Sequence, residues 1–325
     1  MKIMSGCRTT SQLHVGNYWG AINNWLKLQN DNECYFGVMD LHGLTTAYKS
    51  SGEINQFNRD IFADLISWGL SPEKNTIFIQ SMVPEHIELF MHFANLTPMG
   101  WLERVPTWKD AEEEAKASDT HNLGRFMYPV LQAADIALYG GEKVPVGADQ
   151  VAHLELTREI IRRFNFLYKG KIPEPQALLT ETPLVPGLDG RKMSKSYNNG
   201  LLLTEDEKTL KKKVNSMLTD SKRKLREDVG NPADCTVFTF HKLYSTIEDL
   251  KWVMEGCTTA GIGCGDCKAK LCANIEEKTK IPREKKKELL NNTKALDSII
   301  DQGTEKARLT ARKNIGQIKD WMKLR

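Results

Sequence analysis

Apolar residues in the first half of the chain alternate between two spacings. Short runs rich in branched and aromatic side chains occur at residues 2–4, 34–39, 76–80 and 143–146. Each has a length suited to a parallel strand covered on both faces. Between them the apolar spacing lengthens to three and four. Residues 16–29, 85–95, 123–139 and 148–164 predict helices, as do Ile54, Phe57, Ile61, Leu65 and Trp68 on one helical face. Strands alternating with helices predict an α/β fold with a doubly wound parallel sheet. Residues 97–121, with the acidic stretch 110–117, break the pattern and read as an insertion. Beyond Ser196 the strand signal nearly disappears, and 205–218, 238–254, 268–278, 283–300 and 304–324 carry helical periodicity. A first domain over 1–200 and an all-α domain over 201–325 follow, with no internal repeats.

Composition narrows the class. The chain has 325 residues, 40% of them hydrophobic, enough to bury a core in two domains. The net charge of +3 conceals a basic run at 208–226 with eight Lys or Arg and one acid. Such a run reads as a solvated helix face or as a surface for nucleic-acid phosphates. No stretch has the length of a membrane span and the N-terminus lacks a signal-peptide pattern, so a soluble, cytoplasmic protein without a membrane partner is expected. Five of the seven cysteines lie between Cys235 and Cys272. That clustering points to a local metal site rather than a secreted disulfide framework.

Two polar loops carry the candidate chemistry. Arg191-Lys192-Met193-Ser194-Lys195-Ser196 places ammonium groups and hydroxyls around one Met, which suits gripping a polyphosphate. His14-Val15-Gly16-Asn17 lies where the first strand turns into the first helix, and helix N-termini attract phosphate. His14 can donate to a phosphate oxygen without a full charge, Gly16 opens room for a flat purine, and Asn17 offers amide donors.

These two segments resemble the signature sequences of the class I aminoacyl-tRNA synthetases. Ser5-Gly6, Gly16-Asn17-Tyr18, Tyr128-Pro129, Ala133-Ala134-Asp135 and Val146-Gly147-Ala148-Asp149-Gln150 are similar to the tryptophanyl branch, and the resemblance covers the whole chain. It implies a Rossmann-type catalytic domain joined to a helical anticodon-binding domain, with the insertion at a homodimer interface and the last helix packing back on the catalytic domain. It implies ATP with Mg2+, L-tryptophan and tRNA(Trp) as partners, and activation of tryptophan followed by transfer to the tRNA. Arg8, Thr9, Thr10, Gly16 and Asn17 would contact ATP. Gly147, Ala148 and Asp149 would lie at the ribose, Val185 near adenine, and Lys192, Met193, Ser194, Lys195 and Ser196 along the phosphates. Lys192, Lys195 and His14 would be catalytic. Asp135 would accept the indole N–H, and Tyr128, Gln150 and Gln132 would complete the tryptophan site.

Physical chemistry supports the Asp135 assignment: an indole has one donor, and a carboxylate amid Leu131, Ala133, Ala134 and Ile136 is costly without a partner. Asp40 and His42, at a strand end, read equally as structural or functional groups. His86, His92, His121, His153 and His241 default to structural roles. Thr9, Ser11 and Ala148 depart from the family's Pro, Gly and acidic residue at those positions. Gln132 also resembles the tyrosyl branch, so a tyrosyl-tRNA synthetase stays an alternative, as does an RNA-binding iron–sulfur protein on an inactive synthetase scaffold.

Cys235, Cys257, Cys264 and Cys267 form a C-x21-C-x6-C-x2-C pattern. Four thiolates suit either a structural Zn2+ or a [4Fe–4S] cluster. The resemblance favours the [4Fe–4S] cluster, which a subset of the family carries at nearly this spacing.

Overall fold

The structure, a computed structural model, describes residues 1–106, 108, 121–147, 150–179, 185–193 and 197–324. In chain order its elements are β1 (Lys2–Arg8), α1 (Asn23–Leu28), β2 (Glu33–Met39), α2 (Asp40–Ala47), α3 (Ser51–Ser67), β3 (Thr76–Ile79), α4 (Glu85–Leu96), α5 (Met99–Glu103), α6 (Leu123–Leu138), β4 (Lys143–Val146), α7 (Val151–Tyr168), β5 (Gln176–Leu179), α8 (Glu207–Ser216), α9 (Thr236–Tyr244), α10 (Ile247–Thr258), α11 (Cys264–Asn291) and α12 (Thr293–Met322). They fall into two compact units: Met1–Gln12 with Asn23–Glu181 and Asn292–Arg325, and Leu13–Ile22 with Thr182–Asn291.

The first unit is built on a five-stranded sheet in the order β3-β2-β1-β4-β5, parallel throughout. Chain order reverses between β1 and β4, the switch point where α/β sheets bind ligands beyond their strands' C-terminal ends. Arg8, Asp40, Gln80 and Gly147 stand at those ends. Strand β2 reads ECYFGVM and is buried after its first residue, as a doubly covered parallel strand must be. Gly6 and Gly37, paired across β1 and β2, leave room for Met39; a Cβ on Gly6 would lie 2.5 Å from Met39 Cε. Helix α12 lies against β3, and its small residues Gly303, Ala307 and Ala311 permit close approach. A Cβ on Gly303 would run into the Ile77 carbonyl.

The second unit packs Val15, Leu188, Met193, Leu201, Leu210, Val214, Val237, Phe240, Leu271 and Ile275 into one core. The sequence pattern differs from the structure at several helix ends, and side-chain caps explain two of them. Thr246 accepts from Asp249 N (3.2 Å) and starts α10, dividing the helix expected over 238–254. Asn292 accepts from Ala295 N (3.2 Å) and starts α12, ten residues before the break expected near 302. The helix expected over 16–29 is a single turn at Val15–Asn17, a π-helical stretch at Tyr18–Ile22 and then α1. Strand β5 has only the three apolar residues Ala177-Leu178-Leu179, too short a run to stand out from the loop before it, and the strand lies partly exposed at the sheet edge.

Candidate active site

In the sheet unit the polar groups converge on Asp135, in α6 and 3% exposed. His42 Nε2 lies 2.7 Å from its Oδ2, His86 Nδ1 lies 2.7 Å from Oδ1, and Gln80 Nε2 donates to Oδ1 at 2.8 Å. Burial alone would raise the carboxyl pKa, but the hydrogen bonds from the two histidines outweigh it and hold the group well below its ordinary value. Asp135 is therefore ionised, and an ionised carboxylate only accepts, so both facing imidazole nitrogens carry hydrogen. His42 also meets the Tyr128 ring edge-on at 6.1 Å, and the Tyr128 hydroxyl lies 2.7 Å from His153 Nε2. Gln132 sits three residues before Asp135 in the same helix, and Gln150 N donates to Gly147 O (3.0 Å) at the entry to α7. Ala148 and Asp149 lie outside the described residues.

Asp40 has a different task. It accepts from Leu41 N, Ser81 N, Ser81 Oγ and Asn58 Nδ2, which ties the ends of β2 and β3 to α3. Its hydrogen bonding is internal, which favours the structural reading for Asp40, while His42 joins the Asp135 cluster. Arg8 Nε donates to His42 O (3.0 Å), and its guanidinium also holds Thr45 and Thr46. Thr9 is fully buried, with its N donating to Met39 O and its carbonyl lying where a Cβ on Gly43 would fall. Thr10 is half-buried beside it.

In the helical unit the two phosphate-type loops meet. Val15 N donates to Leu201 O (2.9 Å) and Leu203 N to Leu13 O (2.9 Å), so the turn at 14–17 is sewn to the segment that follows the lysine loop. Asn17 Oδ1 accepts from His14 N (3.0 Å), which turns the amide back on the turn and leaves its Nδ2 as the donor. The His14 ring lies against Gly16, where a Cβ would come within 2.9 Å of Nδ1. Burial lowers the His14 pKa, so the imidazole is neutral at pH 7. The same Cβ would lie 3.8 Å from Met193 Sδ, and Val15 and Met193 share one core with Val185 at its margin.

The start of the lysine loop is held by short polar contacts. Gly190, at φ 79°, closes a turn with its N donating to Gly187 O, a conformation that costs glycine least. Arg191 pairs with Asp189 at 2.6 Å and lies 4.1 Å over the Tyr197 ring. Asn199 Nδ2 donates to Asp189 Oδ1 (2.7 Å) and to Lys192 O (3.2 Å), and the Lys192 side chain is exposed. Ser194, Lys195 and Ser196 lie outside the described residues.

The four cysteines come from the start of α9, the end of α10 and the start of α11. Burial pushes the Cys267 thiol up to about 12, and the nearby Cys235, Cys257 and Cys264 add to it. A Cβ on Gly230 would stand 2.6 Å from Cys257 Sγ, so a side chain there would displace that thiol. His241 Nε2 lies 3.2 Å from Cys267 O and 3.4 Å from its Sγ. An all-sulfur donor set of this kind fits zinc or an iron–sulfur cluster. Among the described residues, no three His, Cys, Asp or Glu side chains are arranged to hold a metal ion.

The family described as tRNA synthetases class I (W and Y) matches residues 1–279. The chain belongs to that family. A tryptophan–tRNA ligase of Thermotoga maritima is 45% identical over 100% of this chain and 99% of its own length. That of Aquifex aeolicus is 38% identical over the full length of both. Among solved structures, the tryptophanyl-tRNA synthetase of Campylobacter jejuni complexed with ADP and tryptophan is 34% identical, covers all of both chains and superposes with a TM-score of 0.91. The tyrosyl-tRNA synthetase of Archaeoglobus fulgidus, 17% identical with a TM-score of 0.66, shares the fold. Sequence reasoning missed Gln80 and His86 as members of this class I synthetase's Asp135 cluster. Only their places, at the end of β3 and just beyond it, could have signalled them.

Proposed function

We propose that the chain is a tryptophan–tRNA ligase, activating L-tryptophan with ATP and transferring it to tRNA(Trp). The observation that carries the choice of amino acid is the ionised, buried Asp135, an acceptor suited to the single donor of an indole. Full-length relatives bearing that activity support the same reading.

The tryptophan carboxylate attacks the α-phosphorus of ATP; the bond to the bridging oxygen breaks and pyrophosphate leaves. The terminal ribose hydroxyl of the tRNA then attacks the carbonyl of the adenylate and releases AMP. Tyr128 and Gln150 position the substrate ammonium, with Gln132 beside them, while Arg8, Thr9, Thr10, Gly147, Ala148 and Asp149 hold the nucleotide and Val185 borders adenine. His14, neutral, donates to phosphate with Gly16 and Asn17, and Lys192, Met193, Ser194, Lys195 and Ser196 follow the leaving group. Catalysis rests on alignment and on charge stabilisation as pyrophosphate departs. Mg2+ bound with the nucleotide supplies further neutralisation of the phosphates.

Three finer assignments belong to the same reading. The helices from α8 to α11 form the anticodon-binding part, whose basic run at 208–226 meets tRNA phosphates, while α12 belongs to the sheet unit. Two copies assemble, using the exposed apolar side chains Ile87, Met91 and Met99 of α4 and α5. Cys235, Cys257, Cys264 and Cys267 hold a [4Fe–4S] cluster that fixes their loop; visible absorbance with iron and sulfide in the purified protein supports it, and a colourless protein with stoichiometric zinc contradicts it. The function is tested by charging tRNA(Trp) with labelled tryptophan. Absence of acid-precipitable label on the tRNA, with intact tRNA and folded enzyme, would refute it.

A further inference from the structure

Behind Asp135 stands a buried histidine that the mechanism above does not use. His86 is fully buried, donates from Nδ1 to Asp135 Oδ1 (2.7 Å), and has Nε2 2.8 Å from the Tyr139 hydroxyl. Resting on the reading that Asp135 accepts the indole N–H, we infer that His86, locked by Tyr139, is a positioning residue that aims Asp135 and so sets the preference for an amino acid with an aromatic N–H.

The hydrogen-bond inventory leads there. A carboxylate has about four acceptor positions. Among the described residues Gln80 and His86 occupy two on Oδ1, and His42 occupies one on Oδ2. One position on Oδ2 is left, matching the single donor of an indole. The paired donors on Oδ1 come from different elements, the end of β3 and α4, so they oppose rotation of the carboxylate.

The relay also has a fixed sense. Because Asp135 only accepts, His86 Nδ1 carries the hydrogen, and Nε2 on the far side of the ring is tied to the Tyr139 hydroxyl. The other tautomer would turn a lone pair toward the carboxylate. Aromatic packing holds both rings: His86 stacks on Phe78 at 5.6 Å and Tyr139 on Tyr35 at 4.5 Å. Removing the Tyr139 hydroxyl therefore takes away the anchor on the far side of the ring without emptying the core.

The test uses the full-length enzyme and two ligands of one shape: tryptophan and 3-benzothienylalanine, in which sulfur replaces the N–H. Tryptophan KM in pyrophosphate exchange and the inhibition constant of the analogue give an N–H preference for each variant. Tyr139→Phe should lower that preference about tenfold at most, the upper scale of one ordinary buried hydrogen bond. The loss should fall on tryptophan KM rather than on kcat. His86→Leu should abolish the preference, and His86→Asn, whose amide nitrogen overlays Nδ1, should restore most of it. Equal weakening of both ligands in Tyr139→Phe, or no change in either, overturns the inference if Asp135→Asn has lost the preference. Should Asp135→Asn keep the preference, the indole assignment itself fails and takes the inference with it.

Discussion

Gly16→Ala separates catalysis from stability at a single position. A Cβ there would lie 2.9 Å from His14 Nδ1 and 3.0 Å from Cε1, whereas ordinary contact begins at 3.4 Å. Restoring that contact moves the imidazole by about half an ångström, since the helical turn leaves the backbone little freedom. A 1 Å displacement of a reacting group costs about 100-fold, so half of it costs roughly tenfold, or about 1.4 kcal/mol of barrier. Stability should go the other way. Residue 16 lies in a helical turn, where Ala is favoured over Gly by about 0.5–1 kcal/mol. Pyrophosphate exchange and thermal unfolding on the same preparation measure both. The expected result is a kcat near one tenth of the parent's with an equal or higher Tm. An unchanged kcat would refute the placement of His14 at the phosphates, and a lowered Tm would refute the packing argument.

Three further outcomes are expected. Lys195→Ala should slow adenylate formation far more than it weakens tryptophan binding, read by single-turnover kinetics against equilibrium binding; equal losses count against a transition-state role. Asp135 has a folded pKa below its ordinary 3.8, so its contribution to stability is present above that value and lost as pH falls toward the folded one. Acid unfolding followed by circular dichroism should therefore be shallower below about pH 4 in Asp135→Asn than in the parent. Gly303→Ala drives a methyl into the Ile77 carbonyl and should destabilise the sheet unit by roughly 1–3 kcal/mol in a denaturant titration, with α12 displaced from β3.

The parallel sheet was legible because buried strands such as Cys34–Met39 are unbroken apolar runs between helix-spaced segments. β5 escaped because three apolar residues beside Pro173 and Pro175 are too short a run to separate a strand from a loop. Helix ends at Thr246 and Asn292 escaped because apolar spacing runs on through a polar cap, so periodicity alone joined or shifted the helices. Among site residues, the turn at 14–17 and the loop at 191–196 could be read locally, since each holds its chemistry within a few positions. The Asp135 cluster could not. Its partners come from positions 42, 80 and 86, and only the strand order 3-2-1-4-5 brings them to one end of the sheet. A lone buried His such as His86 gives no hint of what it faces.

Amino-acid-dependent exchange of labelled pyrophosphate into ATP tests the activation step most directly. With tryptophan present the enzyme should incorporate label into ATP, and with tyrosine at the same concentration it should not. Exchange driven by tyrosine, or none with either amino acid, would contradict the account.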